Sequence, residues 1–231
     1  MWPLTQLLKP LEVPRSHVAS KNPILYDHGS GVNEFFQRGT EYFGRQVVPP
    51  DNKFSDGTPS FMAPGSHYHL LQTETFHVES GEGIWYLGDR VITLKAGDDI
   101  TIPRFIGHRF ENMPGSTKPL SILYRYDAQR YDMERRFFCN ALTYLDDCRL
   151  AGTAPSVPQL CVFLSDCWMP GQILWVPGGE YVRCLINTIF MFFMGAIGRW
   201  LFGYKESYSE YHTSEANLPP GYFSKQSKKD V

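Results

Sequence analysis

Four residues able to do chemistry together stand in two short stretches of the chain. The first reads Gly65-Ser66-His67-Tyr68-His69-Leu70-Leu71-Gln72-Thr73-Glu74-Thr75-Phe76. In an extended chain the side chains of positions i and i+2 share a face, so His67 and His69 present two imidazoles to one side. A short reversal after His69 could bring Glu74 beside them. The second stretch runs from Gly97 to Asn112, where a turn glycine, a strand and Pro103 deliver His108. Three neutral imidazoles and a carboxylate are a ligand set for one borderline divalent metal, and in an octahedral shell they leave two neighbouring positions open. A lone His-x-His is usually a pair of ordinary surface or core histidines; the joint spacing of the two stretches is what carries the metal reading. His17, His28, His77 and His212 have no such partners and stay outside the site.

Positioning these side chains calls for a rigid frame of short strands. Extended pieces are expected at 45–48, 60–62, 68–71, 75–78, 83–87, 90–94, 99–102, 109–111 and 121–126, separated by turns such as Gly81-Glu82-Gly83, Gly88-Asp89 and Ala96-Gly97-Asp98. Short strands at regular spacing predict an antiparallel barrel or jelly roll. Beyond residue 127 the apolar period becomes helical. Phe138, Ala141, Leu145 and Cys148 fall on one face of a helix over 132–150, which Gly152 and Pro155 end. A second helix starts at Ser156, where Ser156-Val157-Pro158-Gln159 has capping-box spacing, and stops before Pro170. A third, the most apolar, covers about 182–203.

The two motifs resemble those of the cupin superfamily in spacing as well as residue type. The first cupin motif is met by His67, His69, Glu74 and Gly81, and the second by Gly97, Pro103, His108 and Asn112. Two positions depart: the glycine expected six before the first histidine is Phe61, and the one expected two after the proline is Phe105. Neither is a ligand position. The resemblance implies a mainly β protein, with an antiparallel jelly-roll (cupin) barrel over 35–127, an N-terminal arm over 1–34 and a C-terminal α-helical appendix over 128–231. It also implies one divalent transition metal on His67, His69, Glu74 and His108, drawn from iron, manganese, zinc and nickel; the imidazole-rich shell itself favours iron, and Glu74 is expected to serve as a base when detached from the ion. A single cupin barrel with such an appendix is similar to cupins of filamentous fungi, some encoded beside natural-product enzymes.

Composition narrows the partners. Lys+Arg 22 against Asp+Glu 24 offers no general attraction to phosphate, which argues against nucleic acid. The 42% hydrophobic and 15% aromatic content excludes a disordered chain. Cys139, Cys148, Cys161, Cys167 and Cys184 form no CxxC pair, and their odd number reads as reduced thiols inside a cell. The opening residues 1–10 carry no basic leader or signal-length apolar run. The run 184–198 holds fifteen uncharged residues between Arg183 and Arg199. As a helix it is about 22 Å long, against a bilayer core of about 30 Å. Burial, an interfacial seat and a membrane span all remain open for 182–203, as does a homodimer. Cytoplasmic and membrane-associated locations both fit.

The functional expectation is a metal-dependent oxidoreductase acting on a small oxygenated organic metabolite of the secondary-metabolism type. A metal-assisted isomerase or cyclase, and a non-catalytic ligand-binding cupin tethered to membrane, are the alternatives. Pocket candidates are Phe76, Trp85, Tyr86, Tyr124 and Tyr126, with Arg104, Arg109 and Arg125 available to hold an acidic group.

Overall fold

The computed structural model describes residues 12–223. Residues 1–11, and with them the stretch 1–10 expected to carry no leader, lie outside the described residues. Nine strands are described: β1 (Ile24–Tyr26), β2 (Gly31–Phe35), β3 (Gly44–Val48), β4 (Glu74–Ser80), β5 (Glu82–Leu87), β6 (Arg90–Lys95), β7 (Asp99–Ile102), β8 (His108–Asn112) and β9 (Leu120–Tyr126). They build a six-stranded sheet in the order β1-β2-β3-β9-β4-β7 and a three-stranded sheet in the order β6-β5-β8. Every pairing is antiparallel, the arrangement of a jelly-roll. The arm residues thus supply β1 and β2 at one edge of the large sheet, and β2 runs on to Phe35.

Alternation decides which side chains meet between the sheets. In β4, Glu74, Phe76 and Val78 point inward, and in β5 so do Trp85 and Leu87. Phe110 of β8 lies 5.1 Å from Phe76 and 5.7 Å from Trp85 between ring centroids. Burying each such ring contributes roughly 1.5–3 kcal/mol. The β4–β5 turn needs its glycine: Gly81 has φ +86, and a Cβ there would stand 2.6 Å from the Pro119 carbonyl oxygen.

Two expected strands are absent. Residues 60–62 form a turn in which Met62 is buried and Phe61 packs on Tyr26 and Phe54. Residues 68–71 make no strand run: the chain bends at 70–71, and its pairing is limited to isolated bridges at His67 and single bonds to Pro170 and Trp168.

The helices are α1 (Tyr131–Leu150), α2 (Val157–Asp166) and α3 (Glu180–Trp200). Phe138 of α1 packs on Phe43, just before β3, and on Tyr124 of β9. The capping box expected at Ser156 does not form. Ser156 makes no side-chain cap, and Gln159 is turned into the chain's final segment, donating to the Lys205 carbonyl and accepting from the Tyr208 hydroxyl. Proline near the helix start is the signal that held. That final segment returns across α1, where Tyr211 donates to Asp147 at 2.6 Å and the Tyr208 N–H donates to Asn140 at 2.9 Å. All five cysteines are buried, and all lie in the helical region.

α3 packs a narrow stripe, Cys184, Asn187, Met191, Gly195 and Gly198, toward the protein. The approach to α2 is close: a Cβ on Gly198 would stand 2.8 Å from the Pro158 carbonyl oxygen. Asn187 accepts the Ile173 and Leu174 N–H groups and donates to the Leu174 and Arg183 carbonyls.

Asn112 is the fixed point of the barrel end. Its buried amide donates to the Pro49 carbonyl at 3.1 Å and the Lys118 carbonyl at 2.8 Å, and its backbone exchanges hydrogen bonds with the Asn52 side chain. Asn112→Ala strips donors from both carbonyls and is expected to cost about 2–4 kcal/mol, read as a lowered urea midpoint with the fold retained.

Candidate metal centre and its cavity

Each candidate ligand comes from a different local structure. Glu74 opens β4 in the large sheet and His108 opens β8 in the small one, so both project into the space between. His67 and His69 sit on the extended segment that enters this space. His67 and His108 exchange backbone hydrogen bonds at 3.0 Å each way. On the other edge the Tyr68 N–H donates to the Pro170 carbonyl and the Leu70 N–H to the Trp168 carbonyl. Tyr68, between the two histidines, turns to the opposite side and is buried near Gly107.

The structure brings all four predicted residues together, with one ligand atom from each lying within 4.8 Å of the others. Glu74 Oε2 is 3.2 Å from His69 Nε2 and 3.1 Å from His108 Nε2. Two neighbouring ligands on bonds of about 2.1 Å stand about 3 Å apart. The proton positions fit the same reading. Nδ1 of His67 faces the Gly65 carbonyl at 3.0 Å and Nδ1 of His108 faces the Ile106 carbonyl at 3.1 Å. A carbonyl only accepts, so in the neutral rings Nδ1 holds the proton and Nε2 is left with a lone pair. His69 Nε2 is buried without a hydrogen-bond partner despite its closeness to Glu74. Lone pairs set against a carboxylate oxygen repel unless a cation or proton lies between them, and these residues fit a divalent ion.

The electrostatics agree. Burial, then the neighbouring imidazoles, push the His67 pKa well below its ordinary value, which keeps it neutral and able to ligate at pH 7. Burial alone would raise the Glu74 carboxyl, but positive charge on the side of His69 and His108 outweighs it and holds the group far below the usual carboxylate range. The Tyr126 ring lies 5.6 Å from His69, and burial, then the nearby Glu74 carboxylate, push its hydroxyl well above the usual value.

Beside these ligands is a cavity of about 420 Å³ that reaches His67 and Glu74. One wall is barrel, with Phe76, Phe110, Tyr126 and Gln46. The other is helical: Phe138, Ala141 and Leu145 of α1, and Leu160 and Leu164 of α2. Three of the four residues that marked the apolar face of α1 therefore line this cavity, a role that periodicity alone does not distinguish from core packing. Of the aromatic candidates, Phe76 and Tyr126 reach the cavity. Trp85 and Tyr124 are buried core, and Tyr86 bonds Glu111 with Arg109 over its ring. The arginines do not line it: Arg104 faces Asp127, Arg109 pairs with Glu111 and Arg125 with Glu41. No Lys, Arg or Asp is among the lining residues.

Glu134 was not legible as part of this region. Buried in α1, it accepts from Gln72 Nε2 at 2.9 Å and from the Arg130 N–H at 3.0 Å, and burial pushes its carboxyl up to about 7.

A cupin domain model matches residues 58–125. The probable oxidoreductase virH of Hypocrea virens is 31% identical over 204 residues, covering 86% of this chain and 90% of that protein. An oxidoreductase of Arthrobotrys oligospora is 24% identical over 87% of this chain and 81% of its own length. The epoxidase atD of Aspergillus terreus is 30% identical over 73% of this chain, but that match spans only 51% of the epoxidase. Among solved structures, a cupin-2 domain containing protein from Shewanella frigidimarina aligns with 40% of this chain and 76% of its own at 21% identity, with a TM-score of 0.28.

Two outcomes follow from the site. Protein purified without chelators is expected to carry about one divalent first-row metal per chain. Mass-spectrometric metal analysis should find most of it gone in His69→Ala, whereas full retention after replacing His67, His69 and His108 together would remove the assignment. For Glu134, the folded state holds a proton that the unfolded chain has released between the ordinary value of 4.5 and about 7, so its contribution to stability falls as pH rises through that window. In metal-free protein, Glu134→Gln should therefore gain on the parent between about pH 5 and about pH 8 in parallel urea titrations; a constant difference would contradict the buried protonated carboxyl.

Proposed function

The chain belongs to the cupin family, in company with its fungal relatives, and on that premise we propose that it is a metal-dependent oxidoreductase acting on a small, uncharged, largely apolar organic molecule. The observation that carries the substrate class is the cavity, which is walled by aromatic and aliphatic side chains, lacks a lining cation, and meets the ligand cluster at His67 and Glu74. Away from the ligand end, a carboxylate or phosphate would find no cation in the cavity wall, at a cost of several kcal/mol; only the bound ion itself could neutralise one. A neutral molecule with one or two oxygens would bury its ring against Phe76, Phe110 and Phe138 and direct its polar edge to the ligand end. The relatives named oxidoreductase and epoxidase support oxidation over isomerisation.

His67, His69, Glu74 and His108 would hold the ion. When bound, it supplies Lewis acidity toward a substrate oxygen and, as iron, one-electron chemistry with dioxygen. The chain's own residues bind and orient. Gln46 and Gln172 at the cavity wall offer amides to substrate oxygens, and the aromatic walls exclude water. Tyr126 lines the cavity beside His69. A base role for Glu74 would require it to leave the ion, because in place its neighbours keep it far too acidic to take a proton at neutral pH.

Iron-loaded protein should turn over neutral aromatic or alicyclic oxygenated compounds only with dioxygen present. Ala141→Trp, which fills the helical wall, should raise KM by roughly tenfold or more with metal content unchanged. Equal rates under strict anaerobiosis would move the protein to the isomerase or cyclase group. Selective turnover of carboxylates or phosphates would refute the cavity reading.

A further inference from the structure

Seven of the sixteen exposed large apolar side chains among the described residues lie on α3. Leu185, Ile189 and Phe193 succeed one another at four-residue intervals on its outward face and are 60%, 61% and 64% exposed. Two neighbouring loops extend it. Phe105 touches Tyr181 at the start of α3, with ring centroids 6.3 Å apart, and Trp168 touches Phe192 at 5.1 Å.

Both loop aromatics are held in the left-handed backbone region, Phe105 at φ +66 and Trp168 at φ +56, a conformation costly for a bulky side chain. Phe105 stands where the cupin motif carries glycine, so the backbone keeps the glycine conformation while displaying a ring. The two rings are 38% and 45% exposed. The backbone of each bonds the ligand segment, Phe105 to His69 and Trp168 to Leu70, yet each ring is left part-exposed beside α3.

The chemistry of the face selects a bilayer. Between Arg183 and Arg199 no charged residue interrupts α3, and Trp200 follows, 87% exposed. The outward side chains of this run offer no hydrogen-bonding group, whereas protein interfaces carry about one hydrogen bond per 100–200 Å². Cationic and aromatic residues flanking an apolar stretch are the pattern of a membrane interface. α3 is long and apolar enough to cross a membrane, but it is fastened to the protein. Asn187 is fully buried in four hydrogen bonds, Gly198 lies against α2, and Glu180 accepts the Gly107 N–H at 2.9 Å beside His108. A spanning α3 would forfeit these bonds in hydrocarbon.

We propose that this face is a monotopic docking surface for a phospholipid bilayer, with α3 lying in the membrane plane and Leu185, Ile189, Phe193, Phe105, Trp168 and Trp200 entering the boundary between headgroups and acyl chains. This docking stands independently of the reaction catalysed.

The test is flotation of full-length, metal-loaded protein with phosphatidylcholine vesicles, with and without phosphatidylserine. The protein should float with both, and external protease should leave no protected α3 fragment. The double variant Leu185→Glu, Phe193→Glu should lose roughly tenfold in floated fraction with metal content and circular dichroism unchanged. Phe105→Gly provides a second measure: relief of strain should raise its Tm while vesicle binding weakens several-fold, a combination that a purely structural role would not produce. A protected fragment would establish a span instead. A concentration-dependent dimer that does not float and that the double variant breaks would put a second copy on this face. Monomeric protein that does not float would leave the surface without a membrane role. Each of these three results overturns the proposal.

Discussion

The backbone of residues 67–70 is hydrogen-bonded along both edges, and the placement of the ligand cluster depends on it. One edge is paired with His108 of the small sheet and the other with Trp168 and Pro170, which follow α2. The Phe105 N–H adds a bond to the His69 carbonyl. An extended segment fixed on one side could still rock about its axis and swing two imidazoles out of register. Fixed on both, it places His67 and His69 on one side and Tyr68 on the other. Ligand geometry is therefore a joint property of barrel and helices, since two of the five bonds that set it come from beyond residue 127.

This joint construction explains what the sequence disclosed and what it hid. The ligand spacing was readable because it is local: alternation within an extended chain puts His67 beside His69, and a turn, strand and proline bring His108 to the same place. Most barrel strands were readable for the same reason, since half-buried strands advertise their period. The segment 68–71 looked like another strand because its residue types are extended, but only the tertiary structure reveals that its two partners do not belong to a common sheet. The capping box at Ser156 failed in a comparable way: Gln159 has the right spacing, but a buried hydrogen bond to Tyr208 outcompetes a solvent-exposed cap.

The helices illustrate a deeper limit. Phe138, Ala141 and Leu145 announce an apolar face, and the same pattern serves equally for filling a core or walling a cavity. Which one results depends on whether the opposing surface is close enough to fill the space, and that distance has no local signature. Arg104, Arg109 and Arg125 show the converse. Their sequence positions near barrel strands suggested a ligand role, yet each has an acidic neighbour that draws it to the outer surface.

The cysteines lend the protein an internal reporter. None lies in a strand: Cys139 and Cys148 are in α1, Cys161 is in α2, Cys167 follows it, and Cys184 is in α3. Burial pushes the Cys139 thiol up to about 12 and the Cys161 thiol to about 11, so almost no thiolate exists while the helices stay packed. Alkylation can proceed only when a helix lifts from its neighbours or the whole chain unfolds. Labelling faster than global unfolding therefore reports fluctuation of the cavity's helical wall while the sheets that carry Glu74 and His108 stay folded.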